Sequence, residues 1–303
     1  MSNETEAVDE RGKIIKEQEK MLKIRMQKIK HKVAVISGKG GVGKSTITVN
    51  LAIAFAINGY KVGILDADIH GPSIPKMLGL SGQRLEVGPP GIFPAIGPLG
   101  IRVVSMDFLL PDENTPIIWR GPLKMAAIRQ FLSDIVWGEL DLLLIDLPPG
   151  TGDEPLSVAQ LLPEMDGVII VTITSEVSQI VVKKAVMFAK RLGLPVIGVI
   201  ENMSGFICPK CGTKIDVFQS GGGKRISEEM GVPFLGSIPI DQRICESSDK
   251  GIPFITEHKD SPASKALMEI IQKIEQFLSC RENQSFPEKE KGKFRVGERY
   301  FAG

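Results

Sequence analysis

The sequence predicts a doubly wound α/β domain, built on a mostly parallel sheet with helices on both faces. Two observations support this fold class. Short apolar runs rich in Val and Ile alternate with longer helical stretches, which is typical of repeated βαβ units. The runs are continuously apolar, as in Leu-Leu-Leu-Ile at 142–145, and such strands are buried on both faces of a parallel sheet.

The elements follow one another at the spacing of such units. Strands are predicted at 33–37, 61–66, 101–105, 142–146, 167–174, 196–201 and 233–238. Helices are predicted to begin near Lys44, Gly121, Glu154, Val177, Gly221 and Asp241, with a last helix over about 262–280. The Gly/Pro-rich stretch 79–100 lies inside this series, so we interpret it as an excursion within one domain.

The two ends of the chain differ from the domain between them. Residues 1–31 form a polar segment and a lead-in helix, whose mixed apolar and charged pattern favours packing of one stripe on the domain. The domain itself is predicted over 32–280. Residues 281–303 are charged and nearly free of aliphatic side chains, so we expect a polar, disordered tail.

Composition excludes several classes of protein. The chain of 303 residues has 37 Lys and Arg against 36 Asp and Glu, which argues against a general nucleic-acid binder or a polybasic membrane protein. No apolar run reaches the roughly 18 residues of a membrane span. Four cysteines are too few for a disulfide framework, and the N-terminus is charged and polar. We therefore expect a cytoplasmic protein with neither nucleic acid nor membrane as a partner.

A glycine-rich motif follows the first predicted strand and opens a helix, which is the setting of a phosphate-binding loop. The motif consists of Gly38, Lys39, Gly40, Gly41, Val42, Gly43, Lys44, Ser45 and Thr46. Its glycines allow backbone N–H groups to turn toward phosphates. Lys44, which we expect to be an exposed loop lysine, would contact the β and γ phosphates, and the Ser45 hydroxyl would ligate Mg²⁺.

Acidic residues follow two of the other predicted strands. Asp146 ends one strand and is placed to hold Mg²⁺ through water, and Gly150 in the next turn would supply an N–H that senses the γ phosphate. Asp66 and Asp68 follow a second strand. Because the carboxyl ends of parallel strands meet at one edge, these groups should lie beside the phosphate loop. His70, a lone loop histidine, is assigned no role.

A Cys-x-x-Cys pair, Cys208 and Cys211, has a spacing that suits two ligands of one metal. A redox dithiol and unpaired surface cysteines are the alternatives, although residues 212–214 should continue as loop rather than open a helix. Cys245 and Cys280 have no partner at ligand spacing and are interpreted as structural. Zinc and iron–sulfur centres want four ligands, so a two-fold dimer contributing one pair from each protomer is the simplest completion.

These motifs occur together with three others: Asp-Ala-Asp-Ile-His-Gly-Pro-Ser at 66–73, Trp-Arg-Gly-Pro at 119–122, and Asp-Leu-Pro-Pro-Gly-Thr-Gly-Asp at 146–153. Glu-Asn-Met-Ser at 201–204 precedes the cysteine pair. The combination resembles the Mrp/ApbC family of ATP-dependent iron–sulfur cluster carriers, whose phosphate loop is a deviant Walker A motif. The resemblance extends over about 32–280.

The resemblance implies a homodimeric P-loop ATPase that uses ATP and Mg²⁺, holds a [4Fe–4S] cluster between protomers and transfers it to apo iron–sulfur proteins. Zinc could replace the cluster in purified protein. Lys39 would cross the dimer interface to the partner's nucleotide, and Asp68 would orient the attacking water. Asn202 would contact adenine and Pro239 would line the base pocket. A positioning or partition ATPase, and a redox ATPase similar to nitrogenase iron protein, are the alternative functions.

Overall fold

A mostly parallel sheet between helices confirms the predicted fold class. The computed structural model describes residues 2–68, 71–109, 121–208, 210–215 and 221–283. The strands in these ranges are β1 Ile29–Ile36, β2 Val62–Asp66, β3 Glu86–Gly88, β4 Gly91–Phe93, β5 Ala95–Ile96, β6 Arg102–Ser105, β7 Leu140–Asp146, β8 Gly167–Ile173, β9 Val196–Asn202, β10 Phe206–Ile207, β11 Lys214–Ile215 and β12 Phe234–Ser237. The helices are α1 Ser2–Met26, α2 Lys44–Ile57, α3 Ile74–Met77, α4 Gly121–Asp134, α5 Asp153–Leu161, α6 Glu176–Arg191, α7 Gly222–Met230, α8 Gln242–Lys250, α9 Phe254–Glu257 and α10 Pro262–Asn283.

The main sheet has the strand order β12-β9-β8-β1-β7-β2-β6-β5 in the described part of the chain. Neighbouring strands are parallel except β5, which pairs antiparallel with β6 at one edge. After β1 the chain continues to β2 on one side, and after β7 it crosses to β8 on the other side. Ligands of doubly wound folds bind at the carboxyl ends of the strands at such a topological switch.

The core lies on both faces of the sheet because side chains alternate along each strand. In β1, Val33 and Val35 pack beneath α2 and α10, whereas Ala34 and Ile36 pack on the opposite face with the helices that follow β7 and β8. All four are fully buried. Burial of one aliphatic side chain of this size stabilises the fold by about 1.5–3 kcal/mol, which explains why the predicted strands read as continuous apolar runs.

The predicted strands and helices are all observed, with differences at their ends. The first strand begins at Ile29, inside the segment assigned to the lead-in helix, and the last helix extends to Asn283 rather than Cys280. The stretch 79–100 contains three short strands that were not predicted. One of them, β5, joins the main sheet, so this stretch is an excursion within one domain. Strands of two or three residues are too short to show a periodic pattern.

The lead-in helix α1 packs on α4 through the last turns of its length. Leu22 and Met26 are buried there. The Arg25 guanidinium donates hydrogen bonds to the carbonyl oxygens of Asp134 and, at 2.7 Å, of Pro90. The packing interpretation of this helix is therefore confirmed for its C-terminal turns. None of the helices in the described ranges is both long enough and apolar enough to cross a bilayer.

Candidate functional site

The phosphate loop, residues 38–46, lies between the carboxyl end of β1 and the start of α2, as the motif predicts. Gly41 and Gly43 have φ values of +75° and +80°, which L side chains adopt only with strain. The loop, together with Asp68, Gly71 and Pro149, borders a cavity of about 250 Å³. Lys39 is half-buried in the loop. The structure therefore brings Asp68 to the phosphate loop, although the two are distant in sequence.

The Asp146 carboxylate lies at the centre of this site and is completely buried. Lys44 Nζ is 2.6 Å from Asp146 Oδ2, and the side chain of Lys44 is only 6% exposed. The expectation of an exposed loop lysine is therefore wrong, because the ion pair draws Lys44 into the site. The Ser45 hydroxyl donates to the same oxygen at 2.6 Å.

A further partner of Asp146 was not identified from the sequence. Thr48 Oγ1 donates to Asp146 Oδ1 at 2.8 Å and is also 3.0 Å from the carbonyl of Lys44. The four-residue spacing between Lys44 and Thr48 places both on one face of α2. That spacing was the available signal, since the first turn of a helix that begins in a phosphate loop lies at the carboxyl end of the sheet.

Asp66 is a second buried carboxyl group, opposite Asp146 in the register of β2 and β7. Burial, followed by the negative charge of Asp146, raises the pKa of Asp66 to about 8. The buried position therefore favours the protonated form of Asp66. Its oxygens accept hydrogen bonds from the Ser105 hydroxyl at 3.1 Å and from the backbone N–H of Asp68 at 3.2 Å. Asp66 thus fixes the start of the turn that carries Asp68.

Gly150 lies beside the loop but does not present a free N–H in this structure. Its φ is +99°, and its N–H donates to the carbonyl of Ser37 at 2.8 Å. This contact ties the turn after β7 to the start of the phosphate loop. The predicted contact of Gly150 with a γ phosphate would require that hydrogen bond to break.

Asn202, at the end of β9, contacts the phosphate loop directly. Its Nδ2 donates to the carbonyl of Val42 at 2.9 Å, in a buried position. A Cβ atom added to Gly43 would lie 2.3 Å from the same Nδ2. Asn202 is therefore at the predicted site, and its observed partner is the loop backbone. The adenine contact stays a prediction.

The cysteine pair lies at the tip of a small hairpin formed by β10 and β11 and the residues between them, here called the cysteine hairpin. The backbone N–H of Cys208 donates to Thr213 and that of Gly212 to Cys208, at 3.0 and 2.8 Å. The prediction that 212–214 continue as loop is wrong at Lys214, which begins β11. Cys208 is half-buried and Cys211 is exposed.

The Cys211 thiol has a hydrogen-bond partner beside it. A hydrogen bond with the Thr213 hydroxyl, 3.3 Å from Cys211 Sγ, lowers the pKa of the Cys211 thiol. Cys245 and Cys280 are also exposed free thiols, so their interpretation as structural cysteines is wrong. In the ranges described above, no group of three or more His, Cys, Asp or Glu side chains could hold a metal.

Pro239 lies after β12, beside the cysteine hairpin rather than in the phosphate cavity. It borders a second cavity, of about 400 Å³, together with Phe206, Ile240 and Arg243. An ion pair between Arg243 and Asp241, with an N–O distance of 2.6 Å, forms part of its wall. His70, Trp119 and Arg120 lie outside the described residues.

The fold and this arrangement of loop, lysine and carboxylate define a P-loop nucleotide-binding protein. A family model described as NUBPL iron-transfer P-loop NTPase (ParA) matches residues 28–275. The chain belongs to this family. The iron-sulfur cluster carrier protein of Methanocaldococcus jannaschii is 55% identical over 86% of this chain and 90% of its own length. That of Saccharolobus solfataricus is 54% identical over 84% and 86%.

Solved structures agree with the fold. A nucleotide-binding protein of Archaeoglobus fulgidus in complex with ADP has a TM-score of 0.70 and 43% identity, and the match covers 78% of this chain and 92% of that one. The septum site-determining protein MinD of Pyrococcus horikoshii, complexed with Mg-ADP, has a TM-score of 0.62 at 21% identity, over 83% and 98% of the two chains. The second likeness concerns the fold alone. The family match confirms the iron–sulfur resemblance and favours it over a positioning ATPase.

Proposed function

We propose that this chain is an ATP-hydrolysing carrier that holds an iron–sulfur cluster on Cys208 and Cys211 and transfers it to apoproteins. One observation supports this proposal above the others. A member of an iron-transfer P-loop family presents two closely spaced free thiols on a short hairpin, one of them exposed. Ligands held in this way can pass a cluster to another protein, because the acceptor's thiols can approach them.

The nucleotide half of the proposal rests on the donors around the phosphate loop. The Ser45 hydroxyl and the Asp146 carboxylate are hard oxygen donors 2.6 Å apart, and they fit Mg²⁺, with Asp146 acting through water. Bound Mg²⁺ would neutralise charge on the β and γ phosphates. Lys44 would pair with the same phosphates, and Asp68, at the cavity wall, would orient the attacking water. Lys39 would contact the nucleotide of a second protomer.

The cargo half rests on ligand number. A [4Fe–4S] cluster is usually held by four thiolates, and the cysteine hairpin supplies two. Two copies related by a two-fold axis would place equivalent hairpins against each other, so the carrier would be a homodimer with a bridging cluster. Zinc would suit the same four thiolates in purified protein. The relatives named as cluster carriers support apo iron–sulfur proteins as recipients, and four free thiols suit a reducing, cytoplasmic compartment.

Cluster transfer by cysteine variants tests this function. The protein is reconstituted anaerobically with iron and sulfide and mixed with an apo [4Fe–4S] enzyme, whose recovered activity is measured. Cys208→Ala and Cys211→Ala should each abolish stable cluster binding and transfer. Cys245→Ala and Cys280→Ala are matched controls, since these thiols are also exposed, and both should transfer normally. Undiminished transfer by the Cys208→Ala, Cys211→Ala double variant would refute the proposal.

A further inference from the structure

Two adjacent residues at the end of β9 hold two different parts of the molecule. Asn202 donates to the Val42 carbonyl of the phosphate loop. Glu201, completely buried, accepts hydrogen bonds from the Ser204 hydroxyl at 2.6 Å and from the backbone N–H of Gly223 at the start of α7. Neighbouring residues of a strand point to opposite sides. The end of β9 therefore fixes the phosphate loop on one side and, through Ser204, the approach to the cysteine hairpin on the other.

The phosphate loop contacts residues 201–204, here called the link segment, through Asn202. Gly43 has no room for a side chain: an added Cβ would be 2.3 Å from Asn202 Nδ2 and 3.7 Å from Met203 Cε. Met203 has a φ of +55°, a left-handed conformation that a non-glycine residue keeps only when its surroundings enforce it. A displacement of the loop at Val42 would therefore displace Asn202, to which Met203 is joined directly in the chain.

The link segment continues into the cysteine hairpin along a backbone that is fixed by hydrogen bonds. Ser204 N donates to the Ile238 carbonyl and Ile240 N donates to the Gly205 carbonyl, each at 2.8 Å. Phe206, the first residue of β10, forms a bridge with Ile240. Cys208 follows two residues later. The path from the phosphate loop to the first thiol is thus anchored at each step by ordered contacts.

We propose that the link segment transmits occupation of the phosphate loop to the cysteine hairpin, with Met203 as a positioning residue. This inference rests on the proposed function and specifies how nucleotide would act on the cargo ligands. Phosphate bound by the N–H groups around Gly43 fixes the loop. The fixed loop holds the link segment and therefore the base of the hairpin. Such coupling is reciprocal, so a ligand on the thiols should in turn alter nucleotide affinity.

The test measures thiol reactivity in protein that carries no cluster. In a Cys245→Ser, Cys280→Ser background, Cys208 and Cys211 are alkylated with a maleimide, with and without saturating Mg²⁺ and a non-hydrolysable ATP analogue. Protein is kept at a concentration where sedimentation shows monomer, so that dimer contacts do not shield the thiols. Nucleotide should slow alkylation about fivefold, the lower end of typical coupling between sites.

Two variants of the link segment and one matched control complete the experiment. Met203→Gly relaxes the left-handed backbone directly after Asn202, so the nucleotide effect should fall to near onefold. Ser204→Ala breaks the hydrogen bond to Glu201 and should reduce the effect in the same direction. Leu99→Gly is the control, because Leu99 is exposed and has a φ of +57° in a different turn. It should keep the full effect.

The outcomes separate this inference from the proposed function. It is overturned if nucleotide leaves the thiols of the unsubstituted protein unchanged, or if both link variants keep the fivefold effect. Should Met203→Gly fail to fold, Ser204→Ala decides alone. Cluster binding and transfer are measured on other samples. If the protein transfers clusters but nucleotide has no effect on its thiols, the proposed function stands and only the inference about the link segment fails.

Discussion

The phosphate loop and the cysteine hairpin are built in opposite ways. At the loop, the charged groups are withdrawn from solvent: the side chain of Lys44 is 6% exposed and that of Asp146 is fully buried, and they contact each other. At the hairpin, two strands of two residues each hold an exposed Cys211. Charges that buried contacts hold in fixed positions favour phosphate chemistry. Exposed ligands favour transfer between proteins.

The same difference should appear in how each region responds to substitution. Removing a group from the loop leaves a buried charge without its partner, which lowers stability as well as activity. The hairpin contributes few buried contacts, so changes there should affect cargo binding while the rest of the fold persists. The following variants test whether the phosphate loop and the cysteine hairpin differ in this way in their response to substitution.

Asp68→Asn should give the largest effect. The amide keeps the shape of the side chain but loses the negative charge that orients water, so ATP turnover should fall about 10²- to 10⁴-fold. ATP binding and iron content after reconstitution should persist. Asp260→Asn, an exposed acid in a remote turn, is the control for loss of one carboxylate. Equal hydrolysis rates in Asp68→Asn and unsubstituted protein would remove Asp68 from the mechanism.

Lys44→Ala should weaken nucleotide binding about a hundredfold, since a charged hydrogen bond to phosphate contributes about 3 kcal/mol. It should also lower the free energy of unfolding by about 3–5 kcal/mol, because Asp146 is left buried and unpaired. Calorimetric titration and urea denaturation measure the two effects.

Adding Asp146→Asn to Lys44→Ala separates those effects. The double variant should recover part of the lost stability, because no unpaired buried charge remains, and should still bind nucleotide poorly. If the single Lys44→Ala variant were as stable as the unsubstituted protein, Lys44 would not be the main partner of Asp146.

A pair of glycines compares the two regions directly and should give the smallest effect. Gly43 and Gly212 have φ values of +80° and +72°, so alanine at either position costs about 1–2 kcal/mol of backbone strain. At Gly43 the new Cβ would also collide with Asn202, whereas at Gly212 no atom of the residues that the structure describes lies within 4 Å. Gly43→Ala should therefore have the lower melting temperature and the weaker nucleotide binding. The reverse order would show that the hairpin is the more tightly constrained region.

The sequence predicted the sheet well because its strands are buried on both faces. A continuously apolar run such as that of β7 indicates a strand that is covered on both faces of a parallel sheet. The short strands β3, β4 and β5 were not predicted, because two or three residues carry no periodicity. The extension of β1 back to Ile29 was missed because Lys30, His31 and Lys32 interrupt its apolar run.

The site was predictable where a motif defines it and unpredictable where tertiary contacts do. The phosphate loop and Asp146 follow from residue type and spacing. The burial of Lys44 depends on an ion pair across 102 positions, and the hydrogen bond from Gly150 to Ser37 depends on how two strands are paired. The sequence indicated Glu201 only as part of the motif at 201–204. Its hydrogen bonds could not be predicted, because they join three segments that meet only in the folded chain.

The bridging cluster is the central claim, and native mass spectrometry of anaerobically reconstituted protein tests it most directly. Each protomer supplies Cys208 and Cys211, and a cluster takes four thiolates, so the account predicts a dimer carrying about four irons and four sulfides. The Cys208→Ala, Cys211→Ala double variant should carry none. A complete [4Fe–4S] cluster on a monomer, or full iron content in that double variant, would contradict the account.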